Sequence, residues 1–267
     1  MNTMLKTLLY INEDLASSIA LRFTAYVNKF IPVSLHITHI EEPDENKNIG
    51  RGWVQRAWED GVTSSGKRLI DRMLRTESID CPLAGRPIVE VGDREREILY
   101  TLRNGLYELY VEGYLNTADT DLFYNILSSQ LYTEAPCPIL VVKNLSISKK
   151  CALLCADSVD PKLLVEQSMA VLGDSTFNFD IVFFKFCETG DLRILEKAEG
   201  GKNLKTAETA LLAAGKNIEN VTVLLGTPEQ VGDYLKEYAI VTSTLPKRNS
   251  MRMHVLANSL ASVLLVR

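Results

Sequence analysis

Short apolar runs alternate with longer amphipathic stretches along the whole chain. In the first half the runs lie at residues 7–11, 33–40, 88–91, 106–111 and 139–142. In the second half they lie at 152–156, 181–186, 221–225, 239–242 and 263–266. Between them, 14–30 carries Ile19, Phe23, Val27 and Phe30 at helical spacing, and 94–103 carries Ile98, Leu99 and Leu102 after a Gly92-Asp93 turn. Strand-length runs interleaved with helices predict βα units winding into a parallel sheet. Five such strands fall in each half.

The two halves also share a local pattern. VEVGDREREIL at 89–99 and VLLGTPEQVGDYL at 223–235 each read as a strand, a glycine turn and a helix that opens on acidic residues. This predicts an internal duplication. The polar, basic stretch KNLSISKK at 143–150 separates the last strand of one copy from the first strand of the next, so the boundary is placed at Asn144, giving domains 1–144 and 145–267.

Composition narrows the possibilities. A chain of 267 residues with 46% hydrophobic content is long enough for two cores. A formal net charge of −5 and a pI near 5.4 argue against nucleic-acid backbone binding, which needs clustered cations. Glu13 and Asp14 interrupt the N-terminal stretch before a signal-peptide core forms, and no apolar run reaches membrane-spanning length, so a cytoplasmic protein without membrane contact is expected. Five cysteines without close paired spacing predict buried, reduced thiols rather than disulfides.

Candidate chemistry is sparse. GVTSSGKR at 61–68 comes within one residue of a phosphate-binding loop, but no buried strand precedes it and Arg68 stands where a hydroxyl is needed; it reads as an irregular start or interruption of the second helix. His36 and His39 are an odd number of residues apart on a strand and point to opposite faces, and His254 has no ligand partner at metal spacing. Cys151 and Cys155 share a strand face but lie too far apart to pair. Asp157, Ser158 and Asp160 before Pro161 read as turn and helix-cap chemistry. No nucleophile elbow surrounds any serine.

The segment APCPILVV at 135–142 resembles the closing segment of universal stress protein domains, and SLASVLLV at 259–266 is a looser copy. The resemblance implies two tandem doubly wound parallel five-stranded sheets of order 3-2-1-4-5, flanked by helices, of the adenine-nucleotide alpha-hydrolase-like type. Members that bind ATP carry an acid after the first strand, then Gly-x-x-Gly, a spacer, and Gly-Ser or Gly-Thr after the fourth. Backbone N–H groups at such glycines approach a phosphate, aided by the following helix N-terminus. At the corresponding positions the first half has Asn12, Gly113, Asn116 and Asn125, of which Gly113 matches. The second has Asp157, Ser243, Pro246, Asn249 and Ser250, of which Asp157 and Ser250 match, and its spacer is cut to Lys247 and Arg248.

The resemblance therefore implies a stress-response binding or scaffold protein with degenerate nucleotide loops and no cofactor. Its halves would pair face to face through ILVV and VLLV, as single-domain relatives do between subunits, with an unidentified protein partner and scope for further homodimerisation. The alternative is an adenine-nucleotide switch or weak ATPase using Asp157, Ser243, Asn249 and Ser250 with ATP or AMP, Lys247 and Arg248 standing beside the helix start. A small-substrate enzyme with Asp157 as its acid or base is the third reading. Against these, Asn249-Ser250 also reads simply as the cap of a helix at 251–258.

Overall fold

The computed structural model describes residues 4–43, 52–77, 79–115 and 119–267, apart from the side chain of Val54. The first half runs β1 (Leu5–Tyr10), α1 (Leu15–Val27), β2 (Val33–Glu41), α2 (Trp53–Glu77), β3 (Ile88–Val91), α3 (Arg94–Gly105), β4 (Leu109–Gly113), α4 (Thr120–Leu127), α5 (Gln130–Glu134) and β5 (Ile139–Val142). The second runs β6 (Lys150–Cys155), α6 (Pro161–Leu172), β7 (Asn178–Phe186), β8 (Arg193–Leu195), α7 (Gly201–Ala213), β9 (Ile218–Gly226), α8 (Pro228–Tyr234), β10 (Ile240–Thr244), α9 (Met251–Asn258) and β11 (Ser262–Val266).

These strands form one sheet in the order β3-β2-β1-β4-β5-β11-β10-β6-β7-β9-β8. Within each half the order is 3-2-1-4-5 and the neighbours in that series are parallel. Helices cover both faces, which is why the central strands are apolar throughout rather than alternating. Two features depart from the sequence expectation. β5 and β11 pair antiparallel, edge to edge, so the halves fuse into a single sheet instead of meeting face to face. β8 adds an antiparallel edge strand on β9, and its three residues are too few to stand out from a loop in the sequence.

The β5–β11 register is symmetrical. Val141 pairs with Val263, Leu140 with Leu264 and Ile139 with Leu265. The step in numbering that carries Ile139 to Val263 also carries Leu140 to Leu264 and Val141 to Leu265, so a pseudo-dyad passes between the two central leucines. The pairing removes two exposed sheet edges at once. Every residue of 139–142 and 263–266 is 3% exposed or less, and each such side chain contributes about 1.5–3 kcal/mol over an exposed one.

The residues that follow the two strands reach across the seam in matching ways. Lys143 Nζ donates to the carbonyls of Leu256 (2.6 Å), Ala257 (3.2 Å) and Ser259 (2.5 Å) at the end of α9. Arg267 Nη1 donates to the Ala135 carbonyl just past α5 (2.7 Å). α4 packs on α9, and Phe30 stacks on Phe177 with ring centroids 4.4 Å apart.

Helix starts follow their local signals. Asp14, Asp93, Asp119, Asp160 and Ser250 each accept a first-turn N–H, and Thr227 with Gln230 completes a capping box. The Gly92-Asp93 and Gly226-Thr227 turns thus hold equivalent places in the two halves. Two boundaries shift from expectation. Leu106, placed in the fourth strand by its apolarity, adopts φ 52° and ends α3 instead. α2 runs unbroken through 61–68, with Gly66 where the helix crosses the sheet: a Cβ there would lie 2.6 Å from Val89 Cγ1 and 2.8 Å from His39 Cδ2. Close approach to β2 and β3 offsets the roughly 1 kcal/mol that glycine costs a helix.

Candidate functional site

In a doubly wound sheet, ligands bind at the carboxyl ends of the strands where the winding reverses. Here those points lie between β1 and β4 and between β6 and β10. Because β5 and β11 are antiparallel, the two crevices open on opposite edges of the common sheet.

In the first crevice the polar groups are used by the fold itself. The Asn12 N–H donates to Ser17 Oγ (2.8 Å), and the Asn12 side-chain oxygen accepts from the Glu13 N–H (2.8 Å), knitting the β1–α1 turn. Gly113 ends β4 against the first turn of α1, where a Cβ would stand 2.0 Å from the Ala16 carbonyl oxygen. The glycine serves this backbone contact. Asn125 lies inside α4 rather than at a helix start, exposed, and Asn116 lies outside the described residues.

On the other face of β4, Glu112 is 4% exposed and accepts hydrogen bonds from the Tyr110 hydroxyl (2.9 Å) and the Tyr132 hydroxyl. It pairs with Arg94, the first residue of α3, whose guanidinium carbon sits 4.5 Å from the centroid of the Tyr10 ring. Arg94 therefore spans the ends of β1 and β4, over the switch point. Burial alone would lower its pKa, but the neighbouring Glu112 carboxylate reverses this and raises it. Burial, followed by Glu112, pushes the Tyr110 and Tyr132 hydroxyls well above their ordinary pKa, so both remain donors.

The second crevice is built differently. Ser243 is fully buried on β10 and its hydroxyl donates to the Thr244 carbonyl (3.0 Å). Ser250 caps α9: its Oγ accepts from the Met253 N–H (3.2 Å) and donates to the Lys247 carbonyl (2.7 Å). Asn249 turns the chain into that helix at φ 53°, a left-handed conformation that asparagine tolerates. Asp157 is exposed in the turn after β6, and its carbonyl accepts from Asn203 Nδ2 (3.2 Å). Asn249 and Ser250 thus form the start of α9, while Ser243 stays buried within β10 and Asp157 stands at the end of the neighbouring strand β6.

The sequence reading missed Arg252 in this region. It is 8% exposed, and its guanidinium donates to Thr244 Oγ1 (2.6 Å) and the Leu245 carbonyl (3.2 Å), with Nε buried and unsatisfied. Burial lowers its pKa, and among the described residues no carboxylate pairs with it. A cavity of about 540 Å³ under α2, at the ends of β1 and β2, also escaped the sequence. Glu13, His39, Glu41, Arg68 and Arg72 are among its lining residues. Its charges are partly paired: Arg72 with Glu13, and the buried His39 placed with Nδ1 2.9 Å from the Ile11 carbonyl and Nε2 3.4 Å from Glu41. These residues come from three separate elements, so no linear motif announces them. Among the described residues no cluster of His, Cys, Asp and Glu could hold a metal ion, and no helix is long and apolar enough to cross a membrane.

No protein-family model and no curated protein matches the sequence. Solved structures do match the fold. A universal stress protein from Archaeoglobus fulgidus DSM 4304 superimposes with a TM-score of 0.64 at 16% identity, covering 98% of this chain and 96% of the other. A protein of unknown function from Pseudomonas aeruginosa PAO1 gives 0.56 at 14% identity, with 99% and 93% covered. One assigned to the universal stress proteins from Pseudomonas aeruginosa UCBPP-PA14 gives 0.56 at 14%, with 99% and 94% covered. The chain has the universal stress protein fold along nearly its whole length; at these identities the likeness is one of fold.

Proposed function

We propose that this chain is a stress-response binding and scaffold protein of the universal-stress type, with two tandem copies of the domain standing where two subunits would stand. The observation that carries this reading is Arg94. It lies over the β1–β4 switch point, already paired with Glu112. With Asn12 tied into its turn and Gly113 packed on Ala16, the first crevice has little left for a triphosphate. The symmetrical β5–β11 register supports the covalent pseudo-dimer. Retained pairing beside spent loops fits a protein that works through its surfaces and protein partners, in the cytoplasm.

A second reading, an adenine-nucleotide switch in the second half, draws on Arg252, a buried cation without a carboxylate partner among the described residues, held at the end of β10 by Thr244, and on the exposed Asp157 after the neighbouring strand β6. One experiment separates the two. A ligand that binds only the folded state raises its apparent stability. Thermal melts with ATP, AMP and magnesium are expected to show no shift at millimolar ligand. A saturable shift abolished by Asp157→Ala would overturn the scaffold reading and establish the switch.

A further inference from the structure

An apolar groove lies on the second half, between α6 and α7; Asn203 in the first turn of α7 ties its near end to the Asp157 carbonyl in the turn after β6. Its volume is about 720 Å³, within the range of small-molecule sites. Val165 and Met169 of α6 and Ala210 and Ala213 of α7 form its apolar lining. Thr206 and Thr209 also face it, but their hydroxyls are bonded to the carbonyls of Lys202 (2.9 Å) and Lys205 (2.8 Å) on their own helix, which leaves their methyl groups to the groove.

The groove is polarised end to end. Each of α6 and α7 returns the chain between parallel strands, so the two helices run side by side in the same direction. Their opening turns place Lys162, Lys202 and Lys205 at one end, while Met169, Ala210 and Ala213 lie toward the other. None of the three lysines has an ion-pair partner among the described residues, and Glu166 is the one carboxylate in the lining. From Lys202 to Ala214 the helical rise is about 18 Å.

The duplication supplies an internal control. The equivalent helices α1 and α2 are joined by polar bridges: Glu77 of α2 accepts from Ser18 Oγ (2.6 Å) and pairs with Arg22, and Arg72 pairs with Glu13. The open apolar groove is therefore a feature of this second half and not of the fold.

We propose that the α6–α7 groove binds a single-chain amphiphile with an anionic head, of the long-chain acyl carboxylate class. The carboxylate sits among Lys162, Lys202 and Lys205, and the chain lies along Met169, Ala210 and Ala213. An acidic amphipathic helix would call for cations along the length of the groove; here they gather at one end. The site goes beyond the scaffold reading and does not depend on it.

Isothermal titration of the full chain with monomeric sodium myristate tests the site. Saturable binding is expected. Lys202→Glu/Lys205→Glu should weaken it roughly tenfold or more, since each exposed ion pair is worth up to about a factor of five. Ala213→Trp, which fills the groove from an exposed position, should abolish it, and tetradecylammonium should bind at least about tenfold more weakly than myristate. Melting curves matching the unsubstituted chain establish that both variants are folded. Absence of saturable binding, equal affinity for the ammonium amphiphile, or undiminished binding by Ala213→Trp would overturn the proposal. So would an acidic amphipathic peptide that binds the groove and is not displaced by myristate.

Discussion

Replacing Arg94 with methionine removes the cation from a buried pair while keeping most of the side chain's bulk. Glu112 is 4% exposed, and its remaining partners are the Tyr110 and Tyr132 hydroxyls. Removing one member of a buried pair typically costs 3–5 kcal/mol, because the other charge is left uncompensated; Arg94 keeps some solvent contact, so about 3 kcal/mol is expected. At roughly 2–4 °C per kcal/mol the melting temperature falls by about 6–12 °C. The double variant Arg94→Met/Glu112→Gln leaves no charge behind; its amide oxygen accepts from one tyrosine and its NH2 donates to the hydroxyl oxygen of the other, so most of the loss returns, leaving a deficit of about 1 kcal/mol. Urea unfolding at neutral pH reads both the loss in the single variant and its recovery in the double. A deficit below about 1 kcal/mol, the range of an exposed pair, or a double variant no better than the single, would refute this account of the cluster.

Lys143→Met orphans the carbonyls at the end of α9 and should cost about 2 kcal/mol at neutral pH in a thermal melt. Burial lowers the Lys143 pKa to about 7 from 10.5, so between those values the unfolded chain holds more protons and this group's contribution to stability rises with pH; that rise should vanish in the variant. Gly113→Ala drives a Cβ into the Ala16 carbonyl and should destabilise by about 2–3 kcal/mol, measured by urea unfolding. In contrast, Gly61→Ala on the same assay should be neutral or stabilising by up to about 1 kcal/mol, because that helical position faces open space.

The candidate site was only partly legible in the sequence. Ser250 and Asp160 act as the helix caps their spacing foretold, because capping is a local interaction between a side chain and an N–H three residues or fewer away. Gly113 was legible as a glycine that matters, yet its reason lies in Ala16, nearly a hundred residues earlier in the chain. Asn125 carried no sign that it would fall within α4. Glu112, a charge inside an apolar strand, was a visible anomaly, but its partner Arg94 belongs to a helix on another connection. Arg252 had only its neighbours in a short helix, and nothing in that order tells that a guanidinium will be buried against Thr244 and Leu245.

The 3-2-1-4-5 winding within each half was implied by the resemblance to universal stress protein domains; by itself the sequence determined the alternation of strands and helices and the repetition of that plan. Those follow from apolar periodicity, caps and turn residues, which act over a few positions. Tertiary structure decided that ILVV and VLLV meet edge to edge about a pseudo-dyad, that Arg94 covers one switch point, and that one helix pair leaves an apolar groove where its counterpart is bridged by ion pairs. Each of these depends on which distant groups the winding brings within a few ångströms of one another, and residues adjacent along the chain carry no record of that distance.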